Sequence, residues 1–167
     1  LIHKKGSEEP MSTKRIYMDH TAGKPVDSRV AEAMLPYMSA FYGNPSSVHM
    51  FGQEAKQALE EARAKVAGLI NAEKKEQIIF TSGATESNNM AIKGFVYRNK
   101  DRGTHIITSG IEHMSVMNPV KYLTTRGFKA TFLPVDQYGF VNLESLEKEL
   151  TDETILVSIM YANGEIG

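Results

Sequence analysis

Ile78-Ile79-Phe80-Thr81-Ser82-Gly83-Ala84-Thr85-Glu86-Ser87-Asn88-Asn89 runs from an apolar strand pattern through small residues into the polar start of a helix. Backbone N–H groups in the first turn of a helix have no intrahelical acceptor, so such a junction aims bare donors at an anion. The helix dipole and a hydroxyl from Thr85 or Ser82 add to that attraction, and Gly83 permits close backbone approach. A phosphate-bearing ligand is one reading, and a plain strand-to-helix turn with a Ser or Thr cap is the other. The stretch lacks the Gly-Lys-Ser or Gly-Lys-Thr of a P-loop and the three glycines of a dinucleotide fingerprint.

Outward from this junction the chain alternates. Gln77 to Thr81 reads as a strand, Thr85 to Arg98 as a helix, His105 to Ser109 as a strand, and His113 to Arg126 as a helix stopped by Gly127. Phe128 to Val135 follows as a strand, then a turn at Asp136 to Gly139, with Val141 extending a short strand. Asn142 to Leu150 reads as a helix and residues 155–160 as a last strand. Continuously apolar strands between amphipathic helices predict an α/β fold, a three-layer, mainly parallel sheet flanked by helices.

Before the junction, Val30, Met34, Tyr37 and Met38 space a helix over Val26 to Ala40, with Asp27 or Ser28 as N-cap and Pro36 weakening its second half. Phe41 to Ser47 is rich in turn formers. Val48, Phe51, Ala55, Leu59, Ala62, Val66 and Leu69 then step by three and four residues, which predicts a long helix with one stripe against a core.

With 167 residues, 41% of them hydrophobic and 23% charged, the chain has the material for an ordinary globular domain. A formal net charge of −1 gives no electrostatic reason to expect nucleic acid or an anionic membrane surface. No apolar run approaches the roughly 18 to 20 residues of a membrane span, so a cytoplasmic location is the default expectation. There is no cysteine, which removes disulfides, thiolate metal sites and a cysteine nucleophile from these residues. His20, His49 and His105 show no ligand spacing, so no metal site is expected. Residues 1–15 read as a leader outside the fold, Met11 resembling a true start, and residues 16–167 as part of a domain cut at its carboxyl end.

In open α/β sheets ligands sit at the carboxyl ends of the strands. Ser82 to Thr85, Ser109 to His113 and Tyr161 to Glu165 all fall there. His113 at a helix start can stack on an aromatic cofactor or move a proton near neutral pH; it can equally be a capping or surface histidine. Asn44, Ser46, Ser47 and His49 can contact a substrate or simply make turn and cap hydrogen bonds.

Tyr17-Met18-Asp19-His20, Phe41-Tyr42-Gly43-Asn44-Pro45-Ser46-Ser47-Val48-His49, Phe80 to Asn89, Glu112-His113 and Asn163-Gly164-Glu165-Ile166-Gly167 together, and in this order, resemble the amino-terminal half of cysteine desulfurases. The match covers Ile16 to Gly167. These enzymes are similar to class V aminotransferases of fold type I. The resemblance implies the amino-terminal part of the cofactor-binding large domain, with pyridoxal 5′-phosphate as cofactor. It implies that Ala84 and Thr85 contact the cofactor phosphate, and that His113 is both a cofactor-binding and a catalytic residue, stacking on the pyridine ring and assisting proton transfer. It further implies L-cysteine as substrate, alanine as product and an enzyme persulfide. A sulfur-acceptor or iron–sulfur scaffold protein is the implied partner, and a homodimer the implied assembly. Selenocysteine lyases, other class V relatives and a non-enzymatic truncated product are the alternatives.

The sequence departs from the family at Gly164, where an asparagine expected to reach the cofactor's phenolic oxygen is usual, and at Ala22-Gly23-Lys24-Pro25, where Ala-Thr-Thr-Pro is usual. The family's Schiff-base lysine and persulfide cysteine correspond to positions after Gly167. The chain alone is therefore expected to be inactive.

Overall fold

A computed structural model describes residues 15–167, so the expected leader lies almost entirely outside the described residues. The described residues divide into two compact units, one ending at Glu60 and the other spanning Glu61–Gly167.

In the first unit, helix α1 spans Ser28–Ser39 and is capped by the Asp27 carboxylate, which accepts from the Arg29 backbone N–H at 2.9 Å. The helix continues through Pro36. Val30, Met34, Tyr37 and Met38, whose spacing predicts the helix, are all exposed. Helix α2, Met50–Leu69, begins in this unit and ends in the next. The turn before it is close-packed: a Cβ on Gly43 would lie 2.1 Å from the Phe51 carbonyl oxygen, so only glycine fits. The Asn44 side chain accepts from the Ser46 N–H at 2.9 Å, the turn chemistry expected of that segment. The α2 stripe is less buried than its spacing predicts, with Val48, Phe51, Leu59 and Leu69 exposed and Ala67 buried. Amphipathic spacing states which face is apolar; burial needs a second surface in contact with it.

The second unit holds the sheet. Strands β1 (His105–Ser109), β2 (Lys129–Leu133) and β3 (Thr154–Ser158) are all parallel, in the order β2-β1-β3. Helices α3 (Ala84–Arg98) and α4 (Met114–Thr124) pack together on one face, while α5 (Leu143–Glu149) lies against β2. The α/β, three-layer expectation is met. β1 is central and wholly buried, and its continuous Ile106-Ile107-Thr108 run is what two covered faces require. Ile92 and Val96 of α3, Ile106 of β1, and Val120 and Leu123 of α4 form the main core with Phe128. Gly127 adopts φ +91° after α4, in the left-handed region where glycine lacks the steric penalty of other residues.

Gln77 to Thr81 is not a strand, which corrects the sequence reading. Lys75–Gln77 forms a single 3-10 turn, and the following residues pair with no strand among the described residues. Both edges of β1 are already taken by β2 and β3. The Ile78 carbonyl instead accepts from the Arg63 guanidinium, which also lies over the Phe80 ring at 4.9 Å. Val141 makes one antiparallel bridge with Val135 rather than a strand.

Candidate active site

Two of the predicted segments, Ser109 to His113 and Tyr161 to Glu165, follow β1 and β3 and are hydrogen-bonded to each other, while Ser82 to Thr85 follows no strand and is tied in only through α3, whose Asn88 reaches Ser115 of α4. Helix α3 starts at Ala84, and the earliest helical N–H to find a carbonyl is that of Ser87, on Gly83 at 3.1 Å. The N–H groups of Ala84, Thr85 and Glu86 are thus the bare donors of the first turn. A Cβ on Gly83 would meet nothing within 4 Å, so the protein's own packing does not demand glycine there.

Beside these donors sits a carboxylate the sequence reading passed over. Glu86 accepts from both the backbone N–H and the hydroxyl of Ser82, each at 2.7 Å. The Ser82 hydroxyl, and then its backbone N–H, hold the Glu86 carboxyl below its ordinary value of 4.5. With Ser82 engaged in this clamp, the donors left at this helix start are the first backbone N–H groups of α3 and the hydroxyl of the exposed Thr85. The i, i+4 spacing of Ser82 and Glu86 was the available signal.

His113 is the N-cap of α4, its Nδ1 accepting from the Ser115 backbone N–H at 3.1 Å. The capping reading is therefore correct, yet the residue itself is exposed. Nδ1 also lies 2.8 Å from the Ser115 hydroxyl, which accepts from Asn88 Nδ2 at 2.8 Å. Asn88 belongs to the second turn of α3, so this chain of hydrogen bonds joins α3 to the histidine. Neither Asn88 nor Ser115 was singled out from the sequence. A serine two residues past a capping histidine is the local signal for one, and nothing local marks the other.

Glu112 ties in the third segment. Its buried carboxylate accepts from the Ser109 hydroxyl at 3.0 Å and the Met160 N–H at 2.6 Å, joining the ends of β1 and β3. Asn163 donates to the Ile111 carbonyl at 3.1 Å and accepts from the N–H groups of Glu165 and Ile166 at 2.8 and 3.2 Å. Its amide is thus spent on loop structure and does not substitute for the side chain missing at Gly164. No cluster of three or more His, Cys, Asp or Glu suited to a metal ion occurs among the described residues. No helix among them is long and apolar enough to cross a membrane.

The start of α3, the exposed His113 at the head of α4 and the ends of β1 and β3 thus belong to one α/β unit built on a parallel sheet. The sequence profile of the Aminotransferase class-V family matches residues 16–167, and the chain belongs to that family. Its similarity is strong to cysteine desulfurases. It is 55% identical over 151 residues to the cysteine desulfurase IscS 1 of Archaeoglobus fulgidus, covering 90% of this chain and 39% of that protein. It is 49% identical over 162 residues to the cysteine desulfurase IscS of Methanosarcina thermophila, covering 97% and 40%. Among solved structures, a NifS-like protein superposes with a TM-score of 0.87 at 45% identity over 92% of this chain and 42% of the other. A structure of SspA in complex with cysteine gives a TM-score of 0.81 at 36% identity, covering 89% and 43%. The chain spans about two fifths of the length of these relatives.

The donor set fits pyridoxal phosphate. Backbone N–H groups at a helix start suit a phosphate dianion, and the exposed His113 at the head of α4 suits an aromatic ring.

Proposed function

We propose that this chain is the amino-terminal part of a pyridoxal phosphate-dependent cysteine desulfurase, which removes sulfur from L-cysteine to leave alanine and an enzyme persulfide. The observation that carries the proposal is the hydrogen-bonded link from α3, with its bare first turn, through Asn88 and Ser115 to His113. It is supported by the similarity to desulfurases over nearly the whole chain.

In this reading the N–H groups of Ala84 and Thr85 hold the cofactor phosphate, and His113 packs its ring against the pyridine. Pyridoxal phosphate supplies the electron sink when bound. His113 assists proton transfer as a donor, while Glu112 fixes the loop that follows β3. The chain holds no cysteine to carry sulfur and no lysine that matches the Schiff-base position, so alone it is inactive. A sulfur acceptor or iron–sulfur scaffold protein takes the persulfide sulfur, and the full-length protein works as a homodimer in the cytoplasm.

The full-length protein is expected to show a cofactor absorption band that shifts on adding L-cysteine, with alanine and sulfide as products when a thiol reductant is present. A full-length protein that binds no pyridoxal phosphate refutes the proposal. Gly164 favours one second reading, a family member that binds the cofactor without turning over cysteine. A spectral response without alanine formation selects it.

A further inference from the structure

His113 has two ring nitrogens, and the surroundings of Nδ1 determine which of them carries the proton. The Ser115 backbone N–H points at Nδ1 from 3.1 Å, and a backbone N–H can only donate. Nδ1 is therefore the unprotonated nitrogen of the neutral ring. The Ser115 hydroxyl, 2.8 Å from the same atom, must then turn its proton toward Nδ1 as well. That leaves the oxygen of this buried hydroxyl as an acceptor, and Asn88 Nδ2 donates to it at 2.8 Å. Each bond has one permitted direction, running from Asn88 through Ser115 to His113.

We propose that Asn88 and Ser115 are positioning residues that hold neutral His113 as its Nε2–H tautomer, so that the exposed edge of the ring presents a proton donor. The proposal rests on the desulfurase reading for its use: a donor at Nε2 hydrogen-bonds a substrate thiolate or carboxylate and does not abstract a proton from it. For Nε2 to accept a proton, Nδ1 would have to bear one. The Ser115 N–H would then face another N–H, and the Ser115 hydroxyl would have to swing away. His113 in this state is consequently a hydrogen-bond donor first, and becomes a base only when the start of α4 rearranges.

The test is the 15N chemical-shift pattern of the neutral His113 ring in full-length protein. Wild type is expected to show protonated Nε2 and bare Nδ1. Asn88→Asp keeps the shape but replaces the donor with an acceptor, turning the Ser115 proton away from Nδ1. It is expected to shift the pattern toward the Nδ1–H form. Ser115→Ala is expected to move it in the same direction, and Ser115→Thr to restore it. An Nδ1–H ring in wild type, or an Asn88→Asp ring identical to wild type, overturns the proposal. Pyridoxal phosphate absorption in the same samples tests the functional reading separately, since the tautomer is set within this chain.

Discussion

Glu112→Ala removes the single carboxylate that joins the carboxyl ends of β1 and β3, and its cost can be worked from two contacts. Oε1 accepts from the Ser109 hydroxyl at 3.0 Å and from the Met160 N–H at 2.6 Å. A hydrogen bond to a charged group contributes roughly 1.5–3 kcal/mol, and Met160 is half-buried, so about 2 kcal/mol is lost locally at its N–H. That corresponds to roughly 30-fold faster native-state hydrogen exchange of the Met160 amide. Glu112→Gln keeps an acceptor oxygen but not the charge, and its expected cost of about 1 kcal/mol gives roughly fivefold. Exchange should be measured in full-length protein, with Ile106 and Ile107 amides in the buried central strand as controls whose rates stay unchanged. An unchanged Met160 rate in Glu112→Ala would show that the carboxylate does not hold the loop after β3 in place.

Three further outcomes are expected. His105 is buried, with Nδ1 2.9 Å from the Thr154 hydroxyl and Nε2 3.0 Å from that of Thr131, so it clasps the flanking strands. His105→Ala should lower unfolding stability by about 3 kcal/mol in denaturant titration, and an unmoved midpoint would contradict the clasp. Because the Glu86 carboxyl is held below 4.5 by Ser82, its clamp stabilises the fold above that pH and is lost as pH falls through the lowered value. The Ser82 amide proton resonance should move with that titration, and in Glu86→Gln it should not. Gly164 has open space where a Cβ would sit, so Gly164→Asn should fold normally; restoring the family's side chain should tighten pyridoxal phosphate retention by up to about tenfold in dialysis. Weaker retention would show that the asparagine does not reach the cofactor from this backbone.

The helices were legible because their signals are local. Apolar residues at steps of three and four placed α1 and α2 within a few residues, and Asp27 and His113 supplied side-chain caps that adjacent backbone could use. The buried strand β1 was equally plain from its continuous apolar run. The segment Gln77 to Thr81 misled because strand-like composition is a preference for a pleated surface and does not provide a pairing partner. Likewise the stripes of α1 and α2 named apolar faces correctly without determining whether anything in this chain covers them.

The sequence by itself determined the alternation of helix and strand from Ala84 onward, the start of α3 at Ala84, and the position of His113 at the head of α4. Each of these depends on residues within one or two turns of one another. Tertiary structure alone decided that Asn88 reaches Ser115 across 27 residues of chain and that Glu112 meets Met160 across 48. Such pairings arise from how α3 lies on α4 and how β3 lies beside β1. No periodicity encodes them, because the contact depends on the packing of whole elements and not on the residues at either end.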